Sequence, residues 1–377
     1  MKLLAITSTR LESGATMYSS KLYRKLPAEI LPSETGFFRI ATTALTKRID
    51  LYHIQFEYRS FGGFAKSLAT LVVLTMILSL KKPVVVTLHG IVTVEALGNR
   101  RLKRLIMLAY LVCYKITARF SRIIVHSDSM QRTLAETYRI SNVTVIPHGT
   151  DPARRYPQTK TDLSKILFWG FVRPEKGVEN LIISLKFVPN QQLSLIIAGD
   201  LARPAEARYL EYLRQIVSEN QLEKQVNFVT RFVADEEKCQ HFSNALALVL
   251  PYTDKFVEVS GVAHDLAGSG IPLICSNTPR FDEFTDRYDC LKVSTSPERI
   301  ASAIIGLLRD TTLRETIVRN LMRRTISESW SRVAEKHFQL YRSMINQVTS
   351  SFWKSSGLNH EMKQSGGNQT ALALAKD

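Results

Sequence analysis

The chain has 377 residues, 45% of them hydrophobic, with 50 Lys and Arg against 34 Asp and Glu for a formal net charge of +16. That length suits two domains of ordinary size, and the apolar share excludes a disordered protein. The four cysteines, Cys113, Cys239, Cys275 and Cys290, are scattered without a Cys-x-x-Cys pair or a Cys/His cluster, so neither a zinc site nor a disulfide framework is expected.

Met1 to Thr7 goes directly into an apolar strand without a signal-peptide pattern, which predicts a reducing, cytoplasmic setting. Gly14-Ala-Thr-Met-Tyr18 reads as a loop entering a helix, and Gly14 lets that loop approach a ligand closely. Asp50 to Glu57 and Val84 to Gly90 read as strands. Between them, Ser67 to Leu80 is strongly apolar but shorter than the ~20 residues needed to cross a bilayer, so a buried helix is expected. No acidic residue occurs between Ala96 and Ser127. Arg100, Arg101, Lys103, Arg104, Lys115, Arg119 and Arg122 there flank the apolar run Leu105 to Cys113. Two readings stay open: a helix lying on an anionic bilayer, with Arg100, Arg101, Lys103 and Arg104 facing it, or a core helix with solvated basic ends. A nucleic-acid partner is not expected, because zinc-finger and RNP-type signatures are missing and the aromatic residues are not interleaved with the basic cluster. Ile123 to Ser127 and Val143 to Gly149 complete the strands of a first domain, residues 1–150, which a linker at 151–163 follows.

In the second domain, residues 164–328, the strand segments are Ile166 to Phe171, Leu193 to Ala198, Val226 to Thr230, Leu246 to Leu250 and Leu273 to Ser276. Helical stretches separate them. Short apolar runs followed by amphipathic segments in both halves predict an α/β protein with two Rossmann-like parallel sheets, because parallel strands need crossover helices. A last helix is expected over 329–348 and a disordered tail over 350–377.

Two segments carry chemistry. Leu167-Phe-Trp-Gly-Phe-Val-Arg-Pro-Glu-Lys-Gly-Val-Glu-Asn-Leu181 runs from a strand through a basic turn into a helix, a layout that suits a phosphate. Arg173 and Lys176 bring two cations to a helix start expected at Gly177. The second segment, Val249 to Asn277, also goes strand, polar loop, helix, strand. Ser260 and Gly261 open its helix, Asp265 lies about one turn in, and Gly270-Ile-Pro272 ends it. His89 closes a strand at its C-terminal end, where open α/β sheets bind ligands.

These segments, with the order of the strands before them, resemble the retaining GT-B glycosyltransferases of family 4, the group that includes the phosphatidylinositol mannosyltransferases. The likeness spans about residues 1 to 345. The first loop is similar to the family's Gly-x-x-x-Pro-Glu-Lys-Gly loop, which holds the donor diphosphate. The second resembles its Glu-x7-Glu region followed by Gly-x-Pro. The resemblance implies two Rossmann-like domains facing across a cleft, with the C-terminal helix returning to the N-terminal domain. It implies transfer of a hexose from a GDP- or UDP-sugar to a glycan or lipid-linked acceptor, with retention, no cofactor and no metal. The chain would work in the cytoplasm, as a peripheral protein on the inner membrane face. By the same likeness His89, Arg173 and Lys176 are the catalytic candidates. Gly14, Gly177, Glu258, Ser260, Gly261 and Asp265 are expected to bind donor, with Asp265 accepting from ribose hydroxyls, and Gln55 and Glu57 to line the acceptor side.

Two positions depart from the family pattern. The family's arginine five residues before the loop lysine is Phe171 here, so Arg173 is the substitute. Eight residues before Asp265 stands Val257 rather than an acid, with Glu258 one residue off. Two other classes fit a two-domain α/β chain: a sugar-nucleotide epimerase, and a non-catalytic scaffold that kept the fold and a basic surface.

Overall fold

The computed structural model describes residues 1–10, 14–98, 101–154, 156, 163–189, 193–201, 204–231, 233 and 235–355. Seven strands belong to the first half: β1 (Leu3–Thr7), β2 (Glu29–Pro32), β3 (Leu51–Phe56), β4 (Val84–Leu88), β5 (Gly90–Ile91), β6 (Arg122–Val125) and β7 (Val143–Val145). Six form a parallel sheet in the order β2-β1-β3-β4-β6-β7. Helices α1 (Gly14–Lys25), α2 (Phe37–Thr46), α3 (Phe64–Ser79), α4 (Lys103–Phe120) and α5 (Asp128–Tyr138) make the crossovers. The strands β1, β3 and β4 are buried along their whole length, as parallel strands covered on both faces must be.

The second half has β8 (Lys165–Trp169), β9 (Ser194–Ala198), β10 (Val226–Val229), β11 (Ala245–Leu250), β12 (Val257–Glu258), β13 (Leu273–Ser276) and β14 (Leu291–Val293). Six of them form a second parallel sheet, ordered β10-β9-β8-β11-β13-β14. Around it lie α6 (Val178–Ser184), α7 (Pro204–Glu219), α8 (Asp235–Phe242), α9 (Gly261–Leu266), α10 (Pro297–Arg309) and α11 (Thr311–Ser327). Each sheet has its own apolar core. The expected α/β class with two Rossmann-like domains is what the structure has.

Several contacts join the halves. β5 pairs antiparallel with β12, setting Ile91 opposite Val257 and Gly90 opposite Glu258 across the cleft. The last helix, α12 (Trp330–Ser355), returns to the first domain, burying Trp330, Val333, Ala334 and Tyr341 against Leu3, Tyr18, Leu22, Leu51, Val85 and Ile124. Its backbone stays helical past the end expected at 348, since each further residue adds a hydrogen bond to an existing helix. Of the tail expected from 350, residues 356–377 lie outside the described residues, as do residues 155 and 157–162 of the linker.

The apolar run at Ser67 to Leu80 is helical but not wholly buried. Val73 and Met76 on α3 are about two-fifths exposed and Leu80 is 84% exposed. Among the described residues, no helix is long and apolar enough to cross a membrane.

Candidate functional site

The order of the second sheet reverses between β8 and β11, the switch point where open α/β sheets hold ligands in a crevice at the strands' C-terminal ends. The β8 loop passes through a 3₁₀ turn at Pro174–Lys176 to Gly177, whose φ is 63°. A Cβ there would lie 2.2 Å from the Pro251 carbonyl oxygen, so only glycine lets this loop touch the one after β11. The Thr253 amide donates to the Glu175 carbonyl at 3.0 Å and locks the contact.

Gly177 is a left-handed residue that closes the 3₁₀ turn and caps the start of α6, where the sequence places a helix start. The helices behind the two loops are short, seven residues in α6 and six in α9. Few peptide dipoles add up over so short a run, so side-chain cations carry most of the positive charge here.

Lys176 lies in the crevice with its Nζ 3.6 Å from the Tyr252 ring centroid. Burial, with the Arg280 charge beside it, brings the ammonium down from the ordinary lysine range to about 7, against the pull of Asp254, Glu258 and Glu175. Arg280 stacks on the same ring, its Cζ 5.4 Å from the centroid. Its Nη2 donates to both Asp254 oxygens at 2.9 Å and also pairs with Glu258 Oε1. Sequence reasoning missed Arg280, which sits in a 3₁₀ turn, Pro279–Phe281, just past β13. No motif marks that turn.

The other expected cation is turned elsewhere. Arg173 Nε donates to Glu206 Oε1 at 2.6 Å, the guanidinium stacks on Phe171 with Cζ 4.5 Å from the ring centroid, and Glu206 is nearly fully buried on α7. Arg173 is thus paired with Glu206, while Lys176 rests on Tyr252.

On the β11 side, Ser260 caps α9 by accepting from the Ala263 amide at 3.3 Å, and Gly261 faces His148. Asp265 Oδ1 accepts from Lys21 Nζ of α1 at 2.7 Å, and the same ammonium donates to Asp151 Oδ2 at 2.8 Å. Lys21 thereby ties the first domain to the second. Glu258 crosses the seam: its Oε2 would lie 2.8 Å from a Cβ on Gly90, so glycine at 90 makes room for the carboxylate. Burial pushes the Glu258 carboxyl up while Arg280 pulls it down.

The first domain meets this charged loop with imidazoles. His89 Nε2 lies 2.8 Å from Gln55 Oε1 and its Nδ1 3.3 Å from His126 Nε2. The Tyr18 ring packs against His89, His126, His148, His337 and Trp330 with centroids 4.7 to 6.5 Å away. Burial first, and neighbouring imidazoles second, hold His89 well below the usual histidine range, which keeps it neutral. Gln55 is fully buried between His89, Tyr23 and His53, so it orients His89 and does not line an open acceptor surface as expected. Glu57 Oε1 accepts from the Ala15 amide at 2.8 Å and lies close over Gly14, which fixes the start of α1.

Helix α4 settles which of its faces is open. Leu105, Leu108 and Val112 are between 48% and 61% exposed, with Leu102 before them. Arg101 and Arg104 are exposed at one end of that stripe, Lys103 is half-buried, and Lys115 and Arg119 are exposed at the other end. Arg100 lies outside the described residues.

Comparison with known proteins meets this geometry. A model described as Glycosyltransferase Family 4 matches residues 19–154, and one described as Glycosyl transferases group 1 matches residues 149–324. Together they support a glycosyltransferase of the family 4 type. A GDP-mannose:glycolipid 4-beta-D-mannosyltransferase of Xanthomonas campestris pv. campestris is 24% identical over 344 residues, covering 86% of this chain and 87% of the relative. Among solved structures, Anabaena HepE in complex with UDP superposes with a TM-score of 0.71 at 17% identity over 91% of this chain and 100% of that one. Sucrose-phosphate synthase of Thermosynechococcus elongatus gives 0.72 at 17% identity over 92% and 100%. These likenesses establish the GT-B fold of this glycosyltransferase.

Proposed function

We propose that this glycosyltransferase moves a hexosyl group of the mannose or glucose type from a GDP- or UDP-sugar to a glycan or lipid-linked acceptor. The carrying observation is Lys176, set on Tyr252 where two loops touch at the switch point of the second sheet. In the reaction the bond between the anomeric carbon and the donor phosphate oxygen breaks. Its electron pair stays on the nucleoside diphosphate, and the acceptor hydroxyl oxygen bonds the anomeric carbon while its proton passes to the leaving phosphate oxygen. Lys176 meets the charge growing on the diphosphate. Arg173, through Glu206, braces the outer end of the same loop. Asp265 takes the ribose hydroxyls as Lys21 shifts to Asp151, Ser260 and Gly261 offer backbone amides, and His89 faces the hexose. Side chains neutralise the leaving group in this scheme, so activity is expected to survive a chelator.

Retention is the outcome that the family resemblance carries. Inversion is the second reading, favoured by Glu258 at the seam, where a carboxylate could take the acceptor proton, and by a relative named for a 4-beta product. Incubation with GDP-mannose or UDP-glucose and a prenyl-linked glycan, with the product anomer read by NMR, tests both. Absence of transfer from every nucleotide-sugar would refute the assignment.

The lipid-linked acceptor and a site on the inner membrane face draw support from the apolar stripe of α4 and its basic ends. Each Lys or Arg near an anionic surface adds about 1 kcal/mol, so Arg101→Glu with Arg104→Glu should sharply reduce binding to phosphatidylserine vesicles at low salt. Wild-type protein that ignores such vesicles would remove that support.

A further inference from the structure

We propose that Arg280 is the second cation of the diphosphate site, kept in place by Asp254, with the Glu258 carboxylate standing where a phosphate oxygen of a nucleoside diphosphate binds. This rests on the donor reading above and assigns a residue to it that lies in neither family loop.

A leaving nucleoside diphosphate carries more negative charge than one ammonium neutralises. Arg173 gives its Nε to Glu206, although its Nη2 is buried without a partner, and Phe171 offers no charge; what sets Arg280 apart is the Tyr252 ring it shares with Lys176. Arg280 stacks on the same ring as Lys176, at the C-terminal end of the strand next to β11. An arginine that serves only to clamp a carboxylate usually presents two nitrogens to it as a fork. Here Asp254 and Glu258 both crowd onto Nη2, while Nε is buried with no hydrogen-bond partner. Leaving a buried guanidinium N–H unpaired is costly, and a phosphate presenting two oxygens would satisfy Nε and Nη2 together.

Glu258 is the partner that can yield. Asp254 holds the guanidinium through both oxygens, whereas Glu258 reaches it through one. Its other oxygen, Oε2, already packs over Gly90 on the β5–β12 seam, beside the Tyr58 hydroxyl. When a phosphate oxygen takes its place, Glu258 Oε1 gives up Arg280 while Oε2 keeps its place over Gly90.

The test is calorimetry with GDP and UDP, free of sugar, and with guanosine and uridine as competitors. Arg280→Met should weaken diphosphate binding by about ten- to a hundredfold and leave nucleoside binding unchanged. Arg280→Lys, which keeps the charge without the fork, should fall between. Glu258→Gln removes the competing charge and should tighten GDP or UDP severalfold, an effect that a purely structural clamp does not produce. Equal losses for nucleoside and diphosphate in Arg280→Met, or unchanged or weaker diphosphate binding in Glu258→Gln, would overturn the proposal while the donor reading stands. Wild-type protein that binds neither GDP nor UDP would overturn the donor reading itself.

Discussion

Two facing regions solve the same problem with opposite chemistry. The second domain brings Lys176, Arg280, Asp254 and Glu258 together around Tyr252, a cluster built from full charges. The first domain, with the returning helix α12, answers with His53, His89, His126, His148 and His337 packed among Tyr18, Tyr341 and Trp330, a cluster that burial keeps neutral. His89, His126 and His148 follow the C-terminal ends of β4, β6 and β7, as Lys176 and Arg280 follow those of β8 and β13, so topology alone does not separate the clusters. What differs is the counter-charge each is built to meet: a diphosphate needs cations, whereas a hexose hydroxyl needs only neutral donors and acceptors.

The sharpest way to break this contrast is to delete one member of each side. Lys176→Ala should lower turnover by roughly a hundredfold or more with the fold intact, because a charge-stabilising group is lost from the transition state. His89→Ala removes a neutral contact and should cost nearer tenfold. Equal losses would erase the distinction between a charged donor side and a neutral sugar side.

Acid should damage the neutral cluster next. His126 is lowered to about 3 and His337 to about 4, both mainly by burial, while an unfolded histidine titrates near 6.5. A group lowered in the folded state contributes stability that is present above pH ~6.5 and is lost as the pH falls, since the unfolded chain then binds the extra proton. At pH 5 each of these two should cost about 2 kcal/mol. His264 has the opposite sign. Burial disfavours its charged form, but Glu283 at 3.2 Å and Glu328 at 3.6 Å outweigh that and raise it, so its contribution is full below ~6.5 and fades at higher pH. Urea midpoints at pH 7.5 and pH 5 should therefore show a clear net loss in acid. No loss would mean that the cluster is hydrated in solution.

A smaller effect sharpens the charged side. With Lys176 near 7, diphosphate binding should take up a proton as the pH rises above neutral, and affinity should fall by up to about tenfold per pH unit there. Calorimetry in buffers of different ionisation enthalpy reads that proton directly. Affinity flat from pH 6 to 9 would place the Lys176 ammonium in water.

Much of the fold is legible in the sequence because the strands that matter are long apolar runs. Val84 to Leu88 and Ala245 to Leu250 are buried throughout and read as such. β2 escapes because Glu29–Pro32 is an edge strand with two exposed residues and a proline, β14 because Leu291–Val293 is a three-residue edge strand, and β5 and β12 because two residues carry no period. In the site, Gly177 and Lys176 are readable from a local loop. The partners are not. Glu206 claims Arg173 from 33 residues away, Lys21 reaches Asp265 from another domain, and Arg280 joins Asp254 from a turn without a motif. Gln55 has the position of a cleft residue, yet only the side-chain network shows it buried behind His89.

The most direct test of the central claim, that the loops after β8 and β11 hold a nucleoside diphosphate, is a thermal-shift screen of the wild-type and Lys176→Ala proteins against UDP-, GDP- and ADP-sugars. One nucleotide class should stabilise the wild type by about 2.7 kcal/mol at ~100 times its dissociation constant, and that shift should collapse in Lys176→Ala. A wild type that shifts with none of the three, or a Lys176→Ala protein that shifts as much as the wild type, would contradict the account.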